Sequence, residues 1–459
     1  MRGKQRKTQM ELAFEPARSG EAAERGDGGC EPQTAKYAAE SPASERLMEA
    51  VCASENLKKA LKRVMSNGGA PGVDGMRTEE LSAYLREEWG GIRGKLLEGA
   101  YKPSPVRRVD IPKLDGGTRK LGIPTVLDRF IQQAILQVLQ PAWDATFSEH
   151  SFGFRPGRSA HQAVALAQQY IVECNHWVVD IDLEKFFDNV NHDVLMGRIA
   201  RRVGDKRLLK LIRAFLNAGM MENGLTSPTD KGTPQGGPLS PLLSNLLLDE
   251  LDKELERRGH KFVRYADDCN IYVRSERAGL RVMENVTKFL HKKLRLKVNE
   301  QKSKVGEASE RDFLGFSFTD GEVKKRRISP KAIERFKKRA RKLTRRTKAV
   351  SIGQMVEELN PYIRGWLNYF GFCETPSVLA GLDSWIRHRL RSVIWKQWKR
   401  GRVRYAELRK RGIAKDFAAM TAGSAHGPWR LSGSRSMHAA FPNTFFDSLG
   451  LIRLAAKKA

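Results

Sequence analysis

Tyr265-Ala266-Asp267-Asp268 lies at the centre of an alternating stretch, residues 262–273, in which aromatic and β-branched residues flank two adjacent carboxylates. The alternation predicts two short strands with the aspartates at or beside the turn. Neighbouring carboxylates repel each other, so a cation should hold them. Magnesium suits that place because it takes oxygen ligands and bridges to substrate phosphates. The chemistry such a pair could perform is nucleotidyl transfer. A plainer reading, turn-forming aspartates capped by nearby arginines, stands beside it until companion residues decide.

A site holding two metal ions about 4 Å apart needs carboxylates from at least two elements. The second source is the run from His176 to Asp188, which alternates like a strand up to Asp182 and contains Asp180 and Asp182. These two have the same strand parity and can face a common site, with Asp182 nearer the strand end. Other elements must position them. Two basic strands, 106–113 and 119–123, flank a glycine-containing hairpin turn, and apolar spacing over 131–139 predicts a helix. A Gly/Pro loop at 232–238 leads into a leucine-rich helix through Leu255.

The formal net charge is +29, and from Glu322 onward 32 Lys and Arg face 9 Asp and Glu, a local excess of +23. Charge this concentrated points to a phosphate backbone and to salt-sensitive binding. No amphipathic anchor or lipidation motif suggests a membrane, and no run approaches the eighteen or so apolar residues that span one. The five cysteines are scattered and form no Cys-x-x-Cys pair, which argues against a disulfide framework or zinc ribbon and for a reduced intracellular protein. The basic N-terminus lacks the apolar region of a signal peptide. In the basic third, Ser329 and Pro330 start a helix expected to reach Lys348, with a thin apolar stripe of Ile333, Phe336, Ala340 and Leu343. A second helix, 382–400, places Leu382, Trp385, Ile386, Val393 and Ile394 on one face and Arg387, Arg391 and Lys396 elsewhere.

Together these segments resemble a bacterial reverse transcriptase of the group II intron type. Tyr265-Ala266-Asp267-Asp268 resembles that family's catalytic hairpin. Asp182-Leu183-Glu184-Lys185-Phe186-Phe187-Asp188 resembles the box supplying the first catalytic aspartate, and the spacing to the double Phe favours Asp182 over Asp180. Ile111-Pro112-Lys113 with Arg119 through Pro124 resembles the fingers motif, which implies that Lys113 and Arg119 clamp the incoming triphosphate; the duller role is to brace a hairpin. The boxes around Arg155, around Gln235 and Gly236, and from Leu296 to Ser303 with Lys302 follow in family order. The resemblance implies that Gln235 lies by the nascent pair, that Gly236 lets backbone approach the nucleic acid, and that Lys302 serves the nucleotide. Arg155 is expected to contact nucleic acid or a neighbouring carboxylate. Phe187 either packs in the core or, as the resemblance implies, blocks the sugar 2′ position. Phe313, Leu314 and Gly315 resemble the hairpin that grips the primer end.

The segment 359–370 resembles the maturase, or thumb, signature of intron-encoded proteins, with Trp366, Tyr369 and Phe370 expected in its core. Arg335, Lys338, Arg341 and Arg345 on the basic helix are expected to meet RNA. The expected fold is α/β in the α+β sense, a right-hand polymerase with an antiparallel palm sheet. Its divisions are a disordered extension (1–45), fingers and palm (46–320), an all-α thumb/maturase domain (321–415) and a short DNA-binding-like tail (416–459). The tail resembles the compact class C form without an endonuclease domain. The resemblance implies two Mg2+ ions at Asp182, Asp267 and Asp268, with intron RNA, an RNA template with DNA primer, deoxynucleoside triphosphates and target DNA as partners in the bacterial cytoplasm. Rival readings are a defence-associated or diversity-generating reverse transcriptase, and an RNA-binding splicing cofactor with vestigial polymerase activity.

Overall fold

The computed structural model describes residues 46–112, 117–222, 225–227, 231–233 and 236–455. Lys113 and Gln235 lie outside the described residues, as does the side chain of Arg119. The chain divides into two compact units, Met1–Ala163 with Val179–Val305, and Val164–Val178 with Gly306–Ala459.

In the first unit, β1 (Val106–Pro112) and β2 (Thr118–Ile123) form the expected antiparallel hairpin, with Arg107 opposite Ile123 and Pro112 opposite Thr118. β3 (Trp177–Ile181) carries Asp180 and ends one residue before Asp182. Two short strands, β4 (Met220–Glu222) and β5 (Leu225–Ser227), extend the first sheet to the order β2-β1-β4-β5, with β1 and β4 parallel. The alternating stretch around the paired aspartates becomes β6 (Lys261–Tyr265) and β7 (Asp268–Val273), an antiparallel hairpin. With β8 (Lys304–Glu307) they make the palm sheet, ordered β6-β7-β3-β8, so the hairpin lies directly beside β3.

Helix Val126–Asp144 begins where the Thr125 hydroxyl accepts the Asp128 N–H at 3.1 Å, and it buries Phe130, Ile131, Ile135 and Leu139. The leucine-rich helix Ser240–Arg257 is buried on nearly every side over residues 242–249, where its leucines cluster. Among its leucines it also buries Asn245, Asp249 and Asp252, polar groups that must find partners in the interior.

The second unit is largely helical, with one small hairpin of β9 (Phe316–Phe318) and β10 (Arg326–Ile328). Ser329 caps helix Pro330–Leu343 by accepting the Ala332 N–H at 3.2 Å, and Ala332, Phe336 and Ala340 turn inward. That helix stops five residues before Lys348. Thr344 Oγ1 folds back to donate to the Ala340 carbonyl at 2.7 Å, while Arg389 Nε donates to Thr344 Oγ1 at 2.9 Å. The next long helix, Ile352–Phe370, opens on a capping box of Ser351 and Gln354.

Helix Pro376–Gln397 begins earlier than expected, at a proline suited to a first turn. Its arginines off the apolar face are not all exposed: Arg387 and Arg391 are 1% and 2% exposed. Arg387 pairs with Asp383 and Asp447, and Arg391 donates to the Phe441 carbonyl at 2.8 Å and to Asn443 Oδ1 at 3.0 Å. Phe336, Trp366, Trp395, Phe441 and Phe446 share one core, so residues after Phe417 pack with the preceding helices of this unit. Among the described residues no helix is long and apolar enough to cross a membrane, and Cys52, Cys174, Cys269 and Cys373 are free thiols.

Candidate active site

Tyr265 pairs with Asp268 across β6 and β7, leaving Ala266 and Asp267 as a two-residue turn. Ala266 has φ +57°, while Asp267 does not have positive φ, the pattern of a type II′ turn whose first position usually takes glycine. For alanine the left-handed conformation costs about 1–2 kcal/mol, so surrounding contacts must hold it.

Those contacts converge on Arg264, which is fully buried. Its Nε and Nη2 donate to the two oxygens of Asp252 at 2.7 and 2.5 Å. Its Nη1 donates to the Ala266 carbonyl at 2.9 Å and to Asn245 Oδ1 at 3.1 Å. Burial works against the guanidinium charge, yet the facing Asp252 outweighs it and holds the Arg264 pKa above its ordinary value. Burial pushes the Asp252 carboxyl upward as well, but two short guanidinium hydrogen bonds on a residue that does not deprotonate define an ion pair. Removing either partner would leave a buried charge alone, at about 3–5 kcal/mol.

A second turn is locked against the hairpin. Phe152 N–H donates to the Arg264 carbonyl and Arg264 N–H to the His150 carbonyl, each at 2.9 Å. Asn245 Nδ2 donates to the Gly153 carbonyl at 2.8 Å. A Cβ on Gly153 would stand 2.2 Å from the Ala266 nitrogen, so only glycine fits. Gly153→Ala should therefore lower stability by about 1–3 kcal/mol and depress catalysis, because backbone cannot yield as a side-chain tip can. Thermal denaturation and a primer-extension assay would check this; an unchanged melting point and rate would contradict it.

Asp267, Asp180 and Asp182 lie near enough to Asp268 for their charges to act on it. Dehydration, then the charges of Asp267, Asp180 and Asp182, push the Asp268 carboxyl up to about 7, with Lys302 opposing. Asp268 itself is exposed at the hairpin edge, so repulsion from three neighbouring anions is the more telling part of that rise. Asp182 is pinned through its backbone. Its N–H donates to Ser303 Oγ at 2.9 Å and its carbonyl accepts the Asn299 N–H at 2.8 Å. Lys302 Nζ stands 3.8 Å from Asp182 Oδ2.

Among the described residues, no three His, Cys, Asp or Glu side chains are gathered as a metal-holding group. The donor set nevertheless fits a hard divalent cation: neighbouring carboxylates that raise the proton affinity of Asp268 are what such an ion relieves.

Other expected residues separate into those near this sheet and those elsewhere. Phe187 is buried, edge-on to Phe186 with ring centroids 5.2 Å apart, and its carbonyl accepts the Thr233 N–H at 2.7 Å. That bond anchors the loop leading to Gln235. Gly236 has φ +135°, and a Cβ there would lie 2.6 Å from the Gly122 carbonyl oxygen. Its close approach is to β2, which by itself requires the glycine. Arg155 is also reassigned. It is buried, with Nε donating to Asp144 Oδ1 at 2.7 Å and Nη1 to the Ser151 carbonyl at 2.9 Å, so the carboxylate was the correct alternative. Its neighbour Phe154 was overlooked: it is 51% exposed at φ +58° on the turn locked to the hairpin.

Phe313, Leu314 and Gly315 belong to the second unit, where a tight turn brings Phe313 and Phe316 into mutual backbone hydrogen bonds at 2.8 and 2.9 Å. Tyr369 donates its hydroxyl to the Leu314 carbonyl at 2.8 Å. Trp366 is buried as expected, 4.5 Å from Phe336 between ring centroids. Arg335, Lys338, Arg341 and Arg345 are all exposed, and Arg341 also lies 3.3 Å from Glu334.

A mixed body of two sheets and helices, followed in the chain by a largely helical unit, is the composition of a polymerase fingers and palm with a helical maturase domain after it. Residues 111–318 match the reverse transcriptase (RNA-dependent DNA polymerase) family, and residues 333–412 match the group II intron maturase-specific domain. The chain is 34% identical over 313 residues to Protein YkfC of Escherichia coli (strain K12), covering 59% of this chain and 82% of that protein. It is 30% identical over 345 residues to the group II intron-encoded protein LtrA of Lactococcus lactis subsp. cremoris, covering 59% of this chain and 57% of LtrA. The chain thus spans little more than half the length of LtrA. Nuclear intron maturase 2, mitochondrial, of Arabidopsis thaliana is 28% identical over 177 residues, 30% of this chain and 24% of that protein. The chain belongs to the reverse transcriptase family and carries a group II intron maturase-specific domain after its polymerase region.

Proposed function

We propose that this chain is an RNA-directed DNA polymerase encoded by a group II intron, and that it binds its intron RNA as a maturase to assist splicing and retrohoming. The observation that supports the polymerase reading is that Asp267, Asp180 and Asp182, on and beside the neighbouring strands β3 and β7, lie near enough to Asp268 to raise its carboxyl, with Lys302 3.8 Å from Asp182. Asp182 and Asp267 would hold two magnesium ions, with Asp268 contributing charge, and the bound ions would activate the primer 3′-hydroxyl and steady the departing pyrophosphate.

The remaining work falls to the chain itself. The pinned backbone of Asp182 and the type II′ turn under Asp267 keep the two carboxylates in place before substrate arrives, which avoids reorganisation during reaction. Lys302 offers a cation to the triphosphate once Asp182 is otherwise engaged. Lys113 and Arg119 are proposed to clamp the same phosphates, and Gln235 to border the nascent pair.

Phe187 is proposed as the barrier to a sugar 2′-hydroxyl. Phe187→Val should raise ribonucleotide incorporation relative to deoxynucleotide by roughly 10- to 200-fold, the range over which a pocket resolves one small group. Competitive incorporation by the purified variant reads this ratio, and an unmoved ratio would return Phe187 to plain core packing.

The decisive experiment supplies the purified chain with a DNA primer annealed to an RNA template, deoxynucleoside triphosphates and magnesium. Template-length DNA is expected; absence of extension would overturn the polymerase reading. For the maturase reading, DNA flanking the coding sequence should encode a six-domain ribozyme, whose precursor RNA should splice faster with the protein present.

A further inference from the structure

We propose that Arg264, gripped by Asp252 and Asn245, is a positioning residue that fixes the turn at Ala266 and thereby aims Asp267. The inference rests on the reading of Asp267 as a catalytic carboxylate and names what holds it in place.

The argument starts from peptide planarity. The Ala266 carbonyl and the Asp267 nitrogen share one rigid plane, so fixing the direction of that carbonyl fixes where Asp267 begins. Arg264 Nη1 supplies the fixing bond at 2.9 Å, reaching forward along its own strand to a carbonyl two residues on. The planar guanidinium can do this only if its own orientation is set. Asp252 sets it from the opposite edge with two bonds, and Asn245 sets it from the side. Asn245 then passes the constraint to the Gly153 carbonyl, so the neighbouring turn and the hairpin move as one body.

Stability alone does not account for this arrangement. A buried ion pair is often replaceable by well-packed apolar side chains without loss. An apolar pair at 252 and 264 could fill the same space, but it could not donate to the Ala266 carbonyl. Lysine could keep the charge against Asp252, but its ammonium lacks the flat fork that serves four acceptor atoms in one plane. The left-handed alanine strengthens the case: a strained turn persists only where its surroundings over-determine it, and here one side chain does so.

The test compares Arg264→Lys and Asn245→Ala with Leu247→Ala, a cavity variant in the same buried helix. Steady-state primer extension, duplex affinity and melting temperature are measured for each, with activity assayed well below every melting point. Both positioning variants are expected to lose kcat by about 10-fold or more, while KM for the nucleotide and duplex affinity stay within about twofold, the signature of an interaction lost in the transition state. Leu247→Ala should melt at least as low yet keep its kcat. Should Arg264→Lys fail to fold, Asn245→Ala decides, since it leaves the Asp252–Arg264 pair intact. Wild-type kcat in the soluble positioning variants, or an equal kcat loss in Leu247→Ala, overturns the inference. An Asp267→Ala control separates the two levels. If that control extends primers normally, the catalytic reading itself fails; if it is inactive while the positioning variants keep full kcat, only the present inference does.

Discussion

Replacing Asp267 and Asp268 together by alanine is expected to abolish primer extension by about 10³-fold or more, equivalent to roughly 4 kcal/mol of transition-state stabilisation. Two arguments set the expectation. Asp267 occupies the β6–β7 turn, and Asp268 responds electrically to Asp267, Asp180 and Asp182, so the double variant removes two of the four carboxylates that act there. Their work is electrostatic, and such groups are worth most where water is displaced and the charges are already in position. The same crowding makes a second, opposite forecast. Repulsion of Asp268 by the neighbouring carboxylates destabilises the folded state when no cation offsets it. The double variant should therefore melt no lower than the wild type in magnesium-free buffer, and a few degrees higher is the expected direction. Affinity for a primer–template duplex should persist, since the basic helices lie elsewhere in the chain. Extension assays, filter binding and thermal denaturation on the same preparations check all three. An enzyme that still extends at more than a few per cent of the wild-type rate would remove these residues from the mechanism.

Much of this site was readable in the chain because its signals are local. The strand alternation around Asp267, the strand carrying Asp180, and the cap at Ser329 each occupy a few consecutive residues, and each reappears in the structure. What escaped depends on partners far apart in sequence. Arg264 sits beside the tetrapeptide, but nothing near it announces that Asp252 and Asn245 on a preceding helix will enclose it. A clue was present, since acidic and amide residues recur among the leucines of 240–257, where an otherwise buried helix must satisfy them. The burial of Arg387 and Arg391 escaped for the same reason. Helical spacing placed them off the apolar stripe, but Asp447, Phe441 and Asn443, some fifty to sixty residues on, fold back to receive them. Helical periodicity ranks faces; it does not see what later covers them.

Neutralising Arg335, Lys338, Arg341 and Arg345 together as glutamines is expected to weaken binding to structured RNA by roughly 10²- to 10³-fold near 0.1 M salt, and to flatten its salt dependence by about three logarithmic units. The slope is the sharper reading, because it counts released counterions and is insensitive to how much of the protein is active. Each phosphate contact contributes about 0.7–0.9 to that slope, so four independent contacts would give about three. Arg341 should contribute least. Its guanidinium already lies 3.3 Å from Glu334 and 5.5 Å from the Trp385 ring, and it must leave them to meet a phosphate. The fold should tolerate the change, since helix Pro330–Leu343 packs through Ala332, Phe336 and Ala340 while the four cations are exposed. Relief of repulsion along so basic a surface would, if anything, raise the melting temperature. At saturating primer–template, kcat should stay close to wild type, because these residues belong to a different compact unit from the carboxylates. A quadruple variant with an unchanged salt slope would move the RNA-binding surface away from this helix, to the exposed basic residues after Gln397. A variant with the expected slope but a collapsed kcat would instead show that the helix governs how the duplex is presented for reaction as well as how tightly it is held.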